Sequence, residues 1–224
     1  ALNTLNGNTT GVINATDVQT LTGTVSDVNT AYAASGISNL GNESVTLSGT
    51  STTVSALTTL NSNTTGSVDA SSITSISGTA ASLNTFITTE EGSGNAIDLD
   101  SDYGVTISDT DVAASVLNTL NGNVPGLITA TTVTNITGTA AAINTLMGNE
   151  GDSGNKVNLD GDFTVTVSAG SVAAAHLNTI NSNTTGLVTA TAATTITGSA
   201  SDIATLFGNE GSSGDKVDLA ANVA

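Results

Sequence analysis

The chain has no cysteine and no tryptophan, a single proline, 2% aromatic residues and only two basic residues. Each shortage excludes something. Without cysteine there is neither a disulfide framework nor thiol chemistry, and the redox compartment stays open. Lys156 and Lys216 face 19 acidic residues, for a net charge of −17. That balance excludes a nucleic-acid footprint, which needs a basic face, and disfavours adsorption to anionic membrane. It favours divalent cations or a strongly hydrated surface. No apolar run approaches the roughly 18 residues needed to cross a bilayer, so no membrane insertion is expected. A core almost without rings must be built from Val, Ile, Leu and Ala in thin layers. Stacked repeats do this, because each coil buries its apolar side chains only against its neighbours.

What is present is repetition. Leu117-Asn118-Thr119-Leu120-Asn121-Gly122-Asn123, followed by Gly126 to Thr131 and closed by Ile136-Thr137-Gly138, recurs from Leu2, Leu57 and Leu177, at intervals of 55, 60 and 60 residues. Self-similarity at a fixed period is the signature of a repeat architecture. Each sixty-residue block holds two related units of about thirty residues, since Gly138 to Leu146 echoes Val112 to Leu120. The first kind of unit passes through a short Asn/Thr turn into a Gly-Leu-Ile-Thr-Ala strand. The second carries an acidic, glycine-rich insert, such as Gly148 to Gly154, before its strand.

Each unit reads as one short helix and two short strands. Ile143, Leu146 and Met147 follow helical spacing, as do Leu83, Phe86 and Ile87, and Ile203, Leu206 and Phe207. Thr79, Thr139 and Ser199 stand at the N-cap positions. Helices of two to three turns are too short to persist alone and need neighbours. Val157-Asn158-Leu159, Val217-Asp218-Leu219 and Ile97-Asp98-Leu99 alternate as strands. Val165 with Val167, Val105 with Ile107, Ile128 with Ala130 and Val188 with Ala190 mark other inward-facing pairs. The expected fold is a repeat solenoid, of β- or α/β-type, in which coils of about thirty residues stack and corresponding strands pair in parallel. One array covers 1–224, with sub-blocks 1–56, 57–116, 117–176 and 177–224. The first block is five residues shorter, the loss falling near Ala33 to Ser35. The chain begins inside a unit, without a signal peptide, and reads as a segment of a longer protein.

Asp98-Leu99-Asp100-Ser101-Asp102 is the sharpest chemical pattern, with Asn158, Asp160 and Asp162 as its counterpart. Alternate carboxylates on one side of an extended chain suit Ca²⁺, which takes six to eight hard oxygens. An EF-hand is excluded, because Tyr103 stands where glycine is required and no helix follows. The last copy keeps Asp218 but continues into Ala220 and Ala221, and Ser38 replaces the aspartate in the first. A second acidic set lies in the inserts: Asn42-Glu43, Glu90-Glu91, Glu150 with Asp152, and Glu210 with Asp215. Stacked inserts could share an ion between coils; the alternative is solvated charge that keeps the array soluble. The outward threonines (Thr129 and Thr131, Thr134 and Thr137, Thr164 and Thr166, Thr189 and Thr191) could form flat ladders of the kind that meet ice or polysaccharide. Enzymatic signals are weak. His176 aligns with Val116 and Ala56 in sister units, no Ser-His-Asp arrangement surrounds a serine, and the Gly-x-Gly phrases lack the setting of a phosphate loop.

The phrases at 113–123, 184–191 and 136–141 resemble repeats of giant secreted cell-surface proteins of marine bacteria, of the type that serves swimming motility in cyanobacteria. The resemblance covers the whole chain and brings no catalytic residues. It implies an extracellular, secreted or cell-surface location, a structural or adhesive role, and dependence on Ca²⁺. The glycine-rich nonapeptide of the calcium β-rolls is absent. Sequence and resemblance together predict a non-enzymatic fibre, surface layer or adhesin that associates with itself and contacts surface polysaccharide. An ice- or polysaccharide-binding solenoid is the alternative.

Overall fold

A computed structural model describes residues 1–90, 97–221 and 223. The chain is an α/β protein in which short helices alternate with parallel strands, with eight helices among the described residues. It divides into two compact units, one of Ala1–Gly78 with Ser82–Val105, the other of Thr79–Ala81 with Thr106–Ala224.

Unit 1 contains α1 (Leu2–Asn8), β1 (Ile13–Asn14), β2 (Thr20–Gly23), α2 (Val25–Ala33), β3 (Ile37–Ser38), β4 (Ser44–Leu47), β5 (Ser51–Thr53), α3 (Val54–Asn63), β6 (Val68–Ala70) and β7 (Ser75–Gly78). Then follow α4 (Ala80–Glu90), β8 (Ile97–Leu99) and β9 (Gly104–Ile107), of which α4 and β9 lie at the unit boundary. The core is one apolar row: Leu21 pairs with Val45, Val45 with Val68 and Val68 with Ile97, all in parallel register and all buried. β1 pairs with β3 and β5 with β7, also in parallel.

Unit 2 contains β10 (Asp111–Ala113), α5 (Ala114–Asn123), β11 (Ile128–Ala130), β12 (Asn135–Gly138), α6 (Ala140–Gly148), β13 (Val157–Leu159), β14 (Thr164–Val167), β15 (Gly170–Ala173), α7 (Ala174–Ser182), β16 (Val188–Ala190), β17 (Ala193–Thr197), α8 (Ala200–Gly208) and β18 (Val217–Leu219). Its central row is Val112, Ile136, Val165, Val188 and Val217, each in register with the next. None of the five is more than 6% exposed. β-Branched side chains pack well on a pleated, buried surface, and in a parallel sheet they repeat at the strand spacing of about 4.8 Å. Helices α5 to α8 pack each on the next, so Leu117, Leu120, Ile143, Leu146, Leu177 and Ile180 are fully enclosed. Thr139 and Ser199 cap α6 and α8 by accepting from the backbone N–H of Ala142 and Asp202. Thr139→Ala should therefore cost about 1 kcal/mol in denaturant unfolding, with Thr139→Asn restoring most of it.

The predicted strands all form, but their stacking differs from expectation. A coil with an insert carries three strands (β13, β14, β15), whereas the plain coils on either side carry two. Passing from β11 and β12 to the insert-bearing coil, first strand pairs with first and second with second. Passing onward, β16 pairs with β14 and β17 with β15, so each strand lies on the next strand round. The successive register steps are 29 and 23 residues, from Ile136 to Val165 and from Val165 to Val188. Together they fall short of the sixty-residue period by about the length of one strand and its turn. Strands equivalent in the repeat, such as β10 and β15, therefore belong to different sheets. Corresponding strands do not form a single column. The extra strand displaces the ladder by one position in every block.

Candidate cation-binding carboxylates

In unit 1, β8 brings Asp98 to the solvent face while Ile97 enters the core. The parallel register sets Asp98 directly opposite Asp69 of β6, a residue that the sequence pattern alone did not single out. Carboxylates facing each other across a ladder repel. Asp69 also accepts from Ser71, from the hydroxyl at 2.7 Å and the backbone N–H at 3.1 Å, and these bonds hold its carboxyl below the usual carboxylate range. In unit 2 the same register places Thr129 opposite Asn158 and Thr189 opposite Asp218. The doubled charge belongs to unit 1.

Beyond the strand, the chain turns so that the Asp102 N–H donates to Asp100 Oδ1 at 3.0 Å. The two side chains interact directly. Hydrogen bonding from Asp102, side chain and backbone, lowers the pKa of Asp100. Asp102 is raised in turn by its side-chain bond to Asp100 and by that neighbour's charge. The unit 2 counterpart is looser. Asp160 accepts from the Gly161 N–H at 2.8 Å, and Asp160 and Asp162 are both exposed. Among the described residues no group of three or more His, Cys, Asp or Glu side chains is placed to hold a metal. The carboxylates come together as pairs.

The inserts fold back on themselves. Gly151 donates to Val157 O at 3.1 Å and Val157 to Asn149 O at 3.0 Å, and Gly211, Val217 and Asn209 repeat the pattern. Glu150, Asp152 and Glu210 are left exposed at the rim. The Lys156 stem crosses Gly151 closely, and its Nζ donates to Gly148 O at 3.3 Å. That is the last residue of α6, where a cation complements the free carbonyls. Glu91 and the Glu90 side chain lie outside the described residues.

One member of the insert set was misplaced by sequence. Glu43 is 1% exposed and occupies the position of Tyr103 and Phe163 in the sister coils. Three contacts establish the equivalence. Thr64 Oγ1 donates to Glu43 O as Thr184 Oγ1 donates to Phe163 O. Thr65 N–H donates to Gly41 O as Thr185 N–H donates to Gly161 O. Gly66 presses on the Glu43 carbonyl as Gly186 presses on that of Phe163. The carboxylate thus stands where an aromatic ring belongs. Its Oε2 accepts from the Gly41 N–H at 2.8 Å and from the Tyr32 hydroxyl at 3.1 Å, while Oε1 is buried without a protein partner. Burial pushes the Tyr32 phenol up to about 12, with the Glu43 carboxylate adding to the effect against a lowering from Thr64. An alignment anchored on Gly41 and Gly161, instead of on acidity, would have found the substitution.

On the outer face of unit 2 the rows are mixed. Asp111, Asn135 and Thr164 form one, and Thr137, Thr166, Thr189 and Asp218 the next. The hydroxyls are engaged within the sheet: Thr164 donates to Thr134 O at 2.9 Å, and Thr166 to Asn135 Oδ1 at 3.3 Å. His176 is half-buried in α7. No helix among the described residues is long and apolar enough to cross a membrane. Comparison with protein-family models, curated proteins and solved structures returned no match.

Proposed function

We propose that this chain is a non-enzymatic structural segment, a solenoid of stacked coils that serves an extracellular or cell-surface fibre, layer or adhesin, with self-association and Ca²⁺ as its stabilising ion. The observation that carries the reading is the in-register apolar row through each unit. A coil that buries its strands and helix only against the coils beside it is a building element whose length can vary without redesign. The resemblance to secreted surface repeats supplies the location and the adhesive role, with surface polysaccharide as the external contact.

Calcium enters through the carboxylate pairs. Asp69 faces Asp98, and Asp100 faces Asp102. Two such pairs fit a hard cation whose shell is completed by backbone and water oxygens. Asn158, Asp160 and Asp162 offer a weaker second set, and Glu150, Asp152, Glu210 and Asp218 offer single carboxylates at the rim. The ice-binding alternative draws little support, because the outward rows mix threonine with asparagine and aspartate.

The deciding measurement is a thermal melt with saturating Ca²⁺ and with chelator, beside electron micrographs for filaments. At a hundredfold excess over its dissociation constant, a bound ion adds about 2.7 kcal/mol, and chelation should lower the melting temperature by about 5–10 °C. Asp98→Asn should remove most of that difference. A melting temperature indifferent to chelation takes calcium out of the proposal, and a monodisperse monomer at every concentration takes out self-association.

A further inference from the structure

Three places in the sequence join an acid or its amide to glycine: Asn6–Gly7, Asn121–Gly122 and Asp160–Gly161. In such a pair the glycine nitrogen, unshielded by a side chain, can close on the side-chain carbonyl carbon before it. An ionised carboxylate resists that attack and a neutral amide does not, so in an unfolded chain the two Asn–Gly pairs react first. The fold reverses the order. Gly7 and Gly122 lie inside α1 and α5, where each N–H is committed to the carbonyl four residues earlier. The nitrogen cannot turn onto its neighbour's side chain without breaking that helical turn. Asp160 and Gly161 are both exposed, in the turn between β13 and β14. There the Gly161 N–H donates to Asp160 Oδ1 at 2.8 Å, so the attacking nitrogen and the carboxyl are already held together. A Cβ placed on Gly161 would meet nothing within 4 Å. The sister turn in unit 1 is built differently. Asp100 Oδ1 accepts from the Asp102 N–H, two residues on, and Ser101 follows it where glycine follows Asp160.

We infer that Asp160–Gly161 is the site at which the folded chain modifies its own backbone, by conversion of Asp160 to a β-linked isoaspartyl residue. The Gly161 nitrogen attacks Cγ of the protonated carboxyl. The N–Cγ bond forms, the C–OH bond breaks, and the hydroxyl leaves as water with the amide proton. Water then adds to the Asp160 main-chain carbonyl carbon of this cyclic imide and breaks its bond to nitrogen. The chain now runs through Cγ, and the former main-chain carbonyl is a free carboxylate. One water is lost and one regained, with no oxidant or reductant. The product lengthens the backbone of the turn by one methylene. Gly161 O is the acceptor for the Thr185 N–H at 2.9 Å and for its hydroxyl at 3.3 Å, bonds that tie the turn before β14 to the turn before β16. The added atom displaces that carbonyl and loosens one coil from the next. The inference goes beyond the structural role and makes no use of calcium.

The test incubates the full protein with chelator for weeks, folded and, in parallel, unfolded in urea. Peptide mapping follows each of the three pairs, and methyl transfer by a protein isoaspartate methyltransferase confirms the new carboxylate. In the folded protein Asp160–Gly161 should lead both Asn–Gly pairs by about tenfold or more, the kind of factor that held proximity supplies, and in urea the order should reverse. Gly161→Ala has room for its methyl, so it should melt with the parent and yet convert about tenfold more slowly, because the Cβ shields the nitrogen. Asp160→Ala, the residue that the last copy carries as Ala220, should abolish the product at this turn. Converted chains should exchange the Thr185 amide hydrogen at least about tenfold faster, the loss of its bond to Gly161 O. An Asn–Gly pair that leads in the folded protein overturns the inference, as does a Gly161→Ala protein that converts at the parent rate. Parent-like exchange at Thr185 in converted chains overturns the loosening of the coil. Any of these results can coexist with a calcium-sensitive melt and visible filaments, so failure here is distinguishable from failure of the structural role.

Discussion

Gly186→Ala should destabilise unit 2 by about 3 kcal/mol, at the upper end of what overpacking usually costs, whereas Gly122→Ala should stabilise it by about 0.5–1 kcal/mol. The two glycines differ in what surrounds them. A Cβ on Gly186 would lie 2.2 Å from Phe163 O and 2.6 Å from Asp162 O. These are backbone atoms and cannot swing aside. The segment is also fastened there: Gly186 N–H donates to Thr184 Oγ1 at 3.0 Å and Thr185 N–H to Gly161 O at 2.9 Å. Relief of the clash must therefore lift β16 from β14 and open the Val165–Val188 contact. Gly122 sits in α5 with nothing within 4 Å of its Cβ position. The sister helices α3 and α7 carry Ser62 and Ser182 there and α1 carries Gly7, while Gly11, Gly66, Gly126 and Gly186 hold the other position as glycine throughout. Thermal melts should separate the variants clearly, with Gly186→Ala falling by about 6–12 °C. A Gly186→Ala protein that melts within a degree of the parent would mean the close approach is absent.

The same contrast explains what could be read in advance. Helices and strands were legible because the chain writes its apolar positions at two clean periods: Ile143, Leu146 and Met147 for α6, Val165 and Val167 for β14. Thr139 and Ser199 announced their helices because a hydroxyl before an apolar-periodic run has one favoured use. The third strand of the insert-bearing coils was not legible. Asp111–Ala113 and Gly170–Ala173 are three or four residues long and run straight into α5 and α7, so their alternation is lost in the helical pattern that follows. With that strand hidden, every coil of about thirty residues looked alike, with two strands each to pair first with first and second with second, and the one-strand displacement could not be foreseen. Asp69 was missed for a related reason. Its significance lies in the register between β6 and β8, and register is a tertiary quantity set here by the Val68–Ile97 and Ala70–Leu99 pairs. Glu43 was misassigned because its acidity drew it toward the inserts, when its place relative to Gly41 puts it in the core.

Glu43 leads to the second large effect. Tyr32→Phe should destabilise unit 1 by about 1–3 kcal/mol, the usual cost of stranding a buried acceptor. The phenylalanine ring fits the space, but the carboxylate is left with the Gly41 N–H alone, its Oε1 already without a protein partner. The double variant Tyr32→Met with Glu43→Phe installs the pair that the sister coil uses, Met147 and Phe163, both of which are buried. It should recover at least parent stability and could exceed it by about 2 kcal/mol, since replacing a buried polar pair with packed apolar groups is often neutral or favourable. The pH dependence has a definite sign. Tyr32 is raised to about 12 from 10.0, so the folded chain holds the phenolic proton more tightly than the unfolded chain. Its contribution is complete below pH 10 and is lost as pH rises from about 10 to 12. The stability gap between the parent and Tyr32→Phe, measured by urea unfolding at pH 8 and again near pH 11, should therefore narrow at the higher pH. With Tyr103→Phe in the background, the single remaining phenol should titrate near pH 12 by absorbance. A gap that stays constant across that range, or a phenol that ionises near 10, would mean that Tyr32 does not shield the buried acid.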